Sequence, residues 1–386
     1  MKIAFVTHFP SDPEAPNGGV ESVSVNLVKA LANFDDLDIH VITADPDCRL
    51  IQRSTWHKVN IHRLPGHQGS MLGFATGKGR QLLCNYLLKL SPDLIHAHDT
   101  YGIMIKGLTI PRVFTIHGFI YGDTLISGKN FAWLRSMLWK YFEESAWSDQ
   151  PNIISISPYV RERLNGIATG TLYDIDNPVS ESFFDIKATL ETRTIFSAAA
   201  ICPRKNPMAL VEAIAIMKSR GCNAQLRLAG TVSNDTYGFS LHNLIKKHRL
   251  EDSVCLLGRL NSHQIQKELA GASVFSLVSL EENSPMGIEE AMAAGIPVVT
   301  SNRCGMPYMV RHSDSGFLID PYDHGEIANR LQLLLENKPL RLEMGQHSRA
   351  IAMDRFHPYK VSKRTYDVYR EIIAGKNSET TSPKNK

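Results

Sequence analysis

Short, nearly continuous apolar runs alternate along this chain with stretches of helical spacing, and that alternation leaves few folds open. Ile3–Phe9 reads IAFVTHF, the composition of a strand buried on both faces. A polar loop rich in Pro and Gly follows from Pro10 to Gly19, and then Val20, Val23, Leu27, Val28 and Leu31 recur at helical spacing. Further strand candidates are Ile39–Ala44, Leu94–His98, Val113–His117 and Ile153–Ser157. The pattern predicts an α/β fold with a parallel, doubly wound sheet. It pauses at Asp174–Ile186, where DIDNPVSESFF carries a loop signature, and then restarts. The second set of strand candidates is Thr194–Ala200, Gln225–Gly230, Val254–Gly258, Val274–Ser279 and Pro297–Ser301.

Two doubly wound parallel-sheet domains facing a central cleft are therefore expected, over residues 1–185 and 186–357, and 386 residues suit two such cores. A helix over 358–374 is expected to pack back on the N-terminal domain, and the Ser/Thr/Asn/Lys-rich tail 375–386 to be disordered. Open parallel sheets bind ligands at the carboxyl ends of their strands, so chemistry belongs in the loops that follow strands.

The charge balance, 42 basic against 39 acidic residues, argues against bulk nucleic-acid binding by charge alone and leaves room only for a local basic patch. The six cysteines, Cys48, Cys84, Cys202, Cys222, Cys255 and Cys304, form no C-x-x-C pair or zinc-spaced cluster and read as buried thiols in a reducing compartment. Only four apolar residues, Ile3–Val6, follow Lys2, too few for a signal peptide, and no run has the roughly 18 apolar residues of a membrane span. A cytoplasmic location is expected.

The sharpest chemical signal is ENSPMGIEEAMAAGIPVV from Glu282 to Val299. A loop from Leu280 to Pro285 should lead into a helix starting near Met286 or Gly287, whose first-turn amides and dipole suit a diphosphate. Seven residues separate Glu282, in the loop, from Glu290, about one turn inside the helix, so the two carboxylates are placed to flank that diphosphate. Solvated surface acids are the plain alternative.

This segment resembles the E-x7-E motif of retaining glycosyltransferases with two Rossmann-like domains (the GT-B architecture), specifically the large family 4, in which E-A-M-A-x-G-x-P-V-V continues the motif. The match runs through Glu290, Ala291, Met292, Ala293, Gly295, Pro297, Val298 and Val299. The resemblance implies roles for residues across the chain. Glu282 would orient the donor sugar and Glu290 would hold the ribose. Asn283, Ser284, Pro285, Met286 and Gly287 would line the donor, with the amides of Ser284 to Met286 on its phosphates. Gly18 and Gly19 would let backbone approach those phosphates, although a plain turn also explains them. His117, in a His-Gly after a strand, would stabilise the transition state at the sugar. His98 and Asp99, in His-Ala-His-Asp, are acceptor-side or cleft candidates, with structural hydrogen bonding as the alternative.

Lys205, in AAICPRKNP, matches the lysine of the family's G-R-x-x-x-x-K-G segment, which neutralises the leaving diphosphate together with an arginine. Here Ala200 stands in the arginine's place and Ala199 in the preceding glycine's, and Arg204 is the candidate replacement. Asp174-Ile-Asp176 spells D-x-D, a metal signature in another glycosyltransferase fold, but is read as loop chemistry, and no metal or other cofactor is expected. Gly77-Lys-Gly79 follows a helical pattern, not a strand, and is no dinucleotide fingerprint. The aromatic-rich Phe131–Trp147 is expected to be an internal helix, the alternative being peripheral contact with a membrane that carries a lipid-linked acceptor.

The implied reaction is transfer of a sugar from a nucleoside-diphosphate sugar to a hydroxyl of a glycan, lipid-linked or small-molecule acceptor, with retention, in polysaccharide biosynthesis. A sugar-nucleotide epimerase or hydrolase on the same fold, and a non-catalytic nucleotide-sugar-binding protein, are the rivals.

Overall fold

Apolar runs become strands where both edges can be hydrogen-bonded, and the computed structural model shows this twice, once in each of two units. It describes residues 1–67, 69–126, 131–189, 192–232 and 236–381, with the backbone alone for 126 and 376–381. The first unit is Met1–Pro178 together with the C-terminal helix from Pro358, and the second is Val179–His357.

The first unit contains β1 (Lys2–Val6), β2 (Asp38–Asp45), β3 (Gln52–Trp56), β4 (Val59–Pro65), β5 (Leu94–His98), β6 (Arg112–Ile116), β7 (Asn152–Ser155) and β8 (Thr171–Asp174). Their order is β3-β4-β2-β1-β5-β6-β7-β8, and every pair is parallel except β3 with β4. The second unit contains β9 (Thr194–Ala198), β10 (Gln225–Ala229), β11 (Val254–Gly258), β12 (Val274–Leu277), β13 (Val298–Ser301) and β14 (Gly316–Ile319). These are all parallel, in the order β11-β10-β9-β12-β13-β14.

Strands β5, β6, β12 and β13 are buried along their whole length, and the few polar side chains in them, such as His96 and Thr115, are buried too. Strand order reverses between β1 and β5 in the first unit and between β9 and β12 in the second. Loops leaving two neighbouring strands diverge there, and the gap is where such sheets take ligands.

The unit boundary lies at Pro178, not at 185. Val179, Phe183 and Phe184 are fully buried in the second unit's core, and the Val179 amide donates to Phe356 O at 2.9 Å. Three apolar anchors among polar residues hide this attachment from a composition-based reading. The C-terminal helix runs from Pro358 to Thr381, through most of the segment expected to be disordered, because adding residues to an existing helix costs little; residues 382–386 lie outside the described residues. Val361, Val368 and Tyr369 of that helix join the first unit's core.

The helix Ala132–Trp147 corrects a second expectation. Ser136, Trp139, Glu143, Ala146 and Trp147 are buried, but Trp133, Leu134, Met137, Leu138 and Tyr141 are exposed, so the helix is internal on one face only. Among the described residues no helix is long and apolar enough to cross a membrane. All six cysteines are free thiols.

Candidate functional site

The second unit's switch point gathers three charged side chains. After β9 the chain turns through a 3₁₀ helix, Pro203–Lys205, and after β12 it enters the loop that carries Glu282. Two bonds stitch these loops together: Leu280 N to Arg204 O at 2.8 Å, and Asn206 Nδ2 to Val278 O at 3.4 Å. Lys205 Nζ donates to Glu282 Oε1, and Arg204 Nη1 lies 3.4 Å from Oε2 while donating to Glu281 O at 3.0 Å. Adjacent residues of an extended loop point apart, but in a 3₁₀ turn they diverge by only about 120°. Both cations therefore reach one carboxylate. Glu282 is only 8% exposed, so removing either partner would leave a buried charge under-compensated.

The helix that follows is Met286–Ala293, with Pro285 at its N-cap and no side-chain cap. Among the described residues, the amides of Met286 and Gly287 have no hydrogen-bond partner. Pro285 has no N–H, so it cannot be one of the donors expected across Ser284 to Met286, and the open amides of the helix start are those of Met286 and Gly287. A side chain at position 287 would press on Ala198 O and the Phe275 ring, each 3.1 Å from its Cβ, so glycine lets the helix start lie against the end of β9. Ser284 is braced by a 2.6 Å bond from its Oγ to Oε1 of the fully buried Glu289. At position 305 a Cβ would fall 1.7 Å from Asn283 O, and the Gly305 amide bonds Glu282 O at 2.8 Å. The loop bearing Glu282 and Asn283 is thus clamped from both sides.

Glu290 sits one turn after Met286 and on the same helical face. It is half-buried, and desolvation pushes its carboxyl up to about 8. Among the described residues it has no ion-pair or hydrogen-bond partner. Its neighbour Glu289 serves the fold, whereas Glu290 is an unpaired acceptor.

In the first unit the switch-point loops carry histidines. His98 ends β5, and His117 follows β6. His98 Nδ1 and His117 Nε2 are 2.7 Å apart, with the rings stacked at 4.9 Å. The His117 amide donates to Asp99 Oδ1 at 2.8 Å, and Asn177 lies beside the imidazole. Asp99 itself is held at φ 45°, a left-handed conformation that turns its carboxylate back onto this amide. Burial lowers the pKa of His117, and Asp99 and Asn177 oppose the shift.

His98 is fully buried, so it lines no open surface; its place is beneath His117, and its Nε2 has no partner. Burial holds it well below the usual histidine range. Further in, His96 bonds Tyr369 OH at 2.6 Å and Thr115 Oγ1 at 2.7 Å. A small cavity here is bordered by His96, His98, His117, Asp176 and Asn177. The other acid of the D-x-D, Asp174, instead pairs with Arg161 at 2.8 Å. Gly18 caps the helix Gly19–Leu31 at φ 93°, a conformation only glycine adopts freely.

Sequence reasoning missed Glu289, Gly305 and the placing of Asn177 beside His117. Glu289 was hidden because its partner Ser284 is five residues away, outside helical register.

Comparison with known proteins adds to this geometry. The family model for glycosyl transferases group 1 matches residues 179–351, and that for Glycosyltransferase Family 4 matches 17–179. EpsD of Bacillus subtilis, described as a glycosyltransferase, is 30% identical over 303 residues, 72% of this chain and 76% of that one. With other curated relatives the matched stretch spans about half of that protein's length or less, from 34% to 52%. Among solved structures, sucrose-phosphate synthase from Thermosynechococcus elongatus has a TM-score of 0.80 at 20% identity, covering 97% of this chain and 99% of that one. Anabaena HepE in complex with UDP-glucose has a TM-score of 0.72 at 18% identity, covering 96% and 100%. At these identities the structures share the fold.

Proposed function

The chain belongs to the group 1 glycosyltransferases, and on that premise we propose that it transfers a sugar from a nucleoside-diphosphate sugar to an acceptor hydroxyl with retention at the anomeric carbon. The observation that carries the reading is the cluster of Arg204, Lys205 and Glu282 beside the open amides of Met286 and Gly287, with the unpaired Glu290 one turn on. Leaving-group departure puts negative charge on a diphosphate, and two cations with a helix terminus are what stabilise it. Without ligand the cations rest on Glu282; a bound diphosphate competes for them and frees that carboxylate to accept from sugar hydroxyls. Glu290 accepts from the ribose diol.

We assign His117 to stabilising the oxocarbenium-like charge at the sugar. Its low pKa keeps the ring neutral, which avoids placing a full positive charge beside a developing one. His98, Asp99 and Asn177 position it. In this reading the leaving phosphate oxygen removes the acceptor proton on the same face, and no metal is needed because the protein supplies the positive charge. The acceptor is a glycan, lipid-linked or small-molecule hydroxyl in polysaccharide biosynthesis, reached from the cytoplasm at the membrane's periphery. HepE carries UDP-glucose, so UDP sugars lead the donor candidates.

A thermal-shift panel of UDP, GDP, ADP and their sugars tests the donor site. A ligand at 100 times its Kd adds roughly 2.7 kcal/mol to stability. One nucleotide should stabilise the wild type and lose that effect in Lys205→Ala; no response to any of them defeats the reading. Ala200 in the place of the family's arginine favours the non-catalytic rival, and turnover separates the two.

A further inference from the structure

We propose that the helix Ala132–Trp147 is a docking face for an anionic lipid bilayer. Two adjacent rows of large apolar side chains lie in the open on it. Trp133, Met137 and Tyr141, spaced four apart, are 60%, 61% and 68% exposed, and Leu134 and Leu138, also four apart, are 44% and 48% exposed. At 100° per residue these five span a continuous arc of about 140°. Scattered exposed hydrophobes are ordinary on a protein surface, but a contiguous stripe calls for an occupant. Leu125 on the neighbouring helix Ile120–Ile126 and Phe131 just before the stripe are exposed as well.

Two features select a bilayer over a protein partner. First, cations stand at both edges of the arc. Arg135 has no ion pair among the described residues, and Lys140 has a 3.7 Å pair with Glu144 on its own helix and stands 6.0 Å over the Tyr121 ring. Such pairs are weak and leave Lys140 available to lipid phosphates, with both stems able to lie along the acyl boundary. Trp133 and Tyr141 are of the aromatic type that prefers the bilayer interface. Second, the face is small. A helix of 16 residues is about 24 Å long and one helix wide, which offers less than the roughly 800 Å² per partner of a stable dimer. Shallow burial in the headgroup region needs no such area.

The helix is presented rigidly. Its opposite face packs Trp139 and Ala146 against Ile103, and Ser136 Oγ donates to Tyr121 O at 2.7 Å. The Glu143 carboxylate accepts the amides of Ile120 and Tyr121 at 3.0 and 2.9 Å. Docking therefore orders no new segment. This inference deepens the reading of a peripheral location, but its test uses no nucleotide sugar, so its failure is distinct from failure of the transferase reading.

The test is co-sedimentation of the full chain with vesicles of phosphatidylcholine alone and of phosphatidylcholine mixed equally with phosphatidylglycerol. Wild type should partition onto the mixed vesicles. The double variant Trp133→Ser/Met137→Glu should lose at least ~tenfold in partitioning, since it removes two of the three large apolar groups of the stripe's most exposed row. Arg135→Gln/Lys140→Gln should keep binding but lose the preference for phosphatidylglycerol. Quenching of wild-type tryptophan fluorescence by brominated lipid reads the same contact with no substitution, should the double variant fold poorly. Absence of wild-type binding or quenching overturns the proposal, as does wild-type-like binding by a folded double variant. A dimer in sedimentation velocity that Met137→Glu dissociates would assign the face to a second copy instead.

Discussion

Donor binding should release a proton from Glu290. In the free protein desolvation holds this carboxyl at about 8, so it is ~90% protonated at pH 7. A ribose diol donates two hydroxyls, which an ionised carboxylate accepts better than a protonated one. The diol should therefore draw the pKa back toward its ordinary value of roughly 4.3. Between the two values free protein is protonated and the complex is not, so affinity rises with pH and levels off above about 8. The expected gain from pH 6 to pH 8 is ~50-fold.

The same group leaves a mark on stability. Its folded pKa is raised, so the stabilisation is fully present below about 4.5 and is lost as pH rises through about 8. The full shift sets that loss at up to ~5 kcal/mol. Glu290→Gln removes this loss and weakens donor binding at pH 8 by about 1.5–3 kcal/mol. Glu143, also pushed up to about 8 by burial, is common to both proteins and cancels in the comparison. The assay is calorimetric titration with the best-stabilising nucleotide sugar, in buffers of different ionisation enthalpy. A sugar nucleotide avoids the terminal phosphate's own titration. Affinity flat from pH 6 to 8 with no proton release, or an identical profile in Glu290→Gln, would refute the assignment.

Three further outcomes are expected. His117→Ala should lower turnover about 100-fold with little change in donor affinity, and His98→Ala should lower it less while shifting the pH profile, because His98 acts through the 2.7 Å contact to His117; loss of nucleotide affinity instead, measured by the same titration, would remove the role given to His117. Arg204→Ala should cost at least ~1.4 kcal/mol in turnover at donor saturation, and the double variant with Lys205→Ala should be non-additive, since both cations contact one carboxylate; turnover within about twofold of wild type for Arg204→Ala would leave Lys205 and the helix terminus as the charge compensation. Activity should survive EDTA, and loss restored by Mn²⁺ or Mg²⁺ would point to metal chemistry.

What the sequence discloses here depends on how local each feature is. The helix start at Met286 and the seven residues between Glu282 and Glu290 are local, so pattern and spacing expose them. The central strands are legible because burial on both faces makes them mostly apolar. The β3–β4 hairpin is not: QRSTW of β3 is exposed along nearly its whole length and has no periodic signal. The direction of Arg204 depends on a 3₁₀ turn set by Pro203 and on the loop 77 residues away, which no window reads. The depth of His98 likewise depends on Phe5 of β1 and on the stacked His117. The attachment of Val179–Phe184 depends on core partners near Phe356.

The most direct measurement follows the anomeric proton of the donor sugar by NMR, with and without a panel of acceptor glycans and lipid-linked saccharides. Retaining transfer predicts donor consumption that depends on acceptor, with a product whose anomeric configuration matches the donor's. Equal consumption without acceptor would make the protein a hydrolase or epimerase, a donor bound but never consumed would make it a binding protein, and an inverted product would overturn the same-face mechanism.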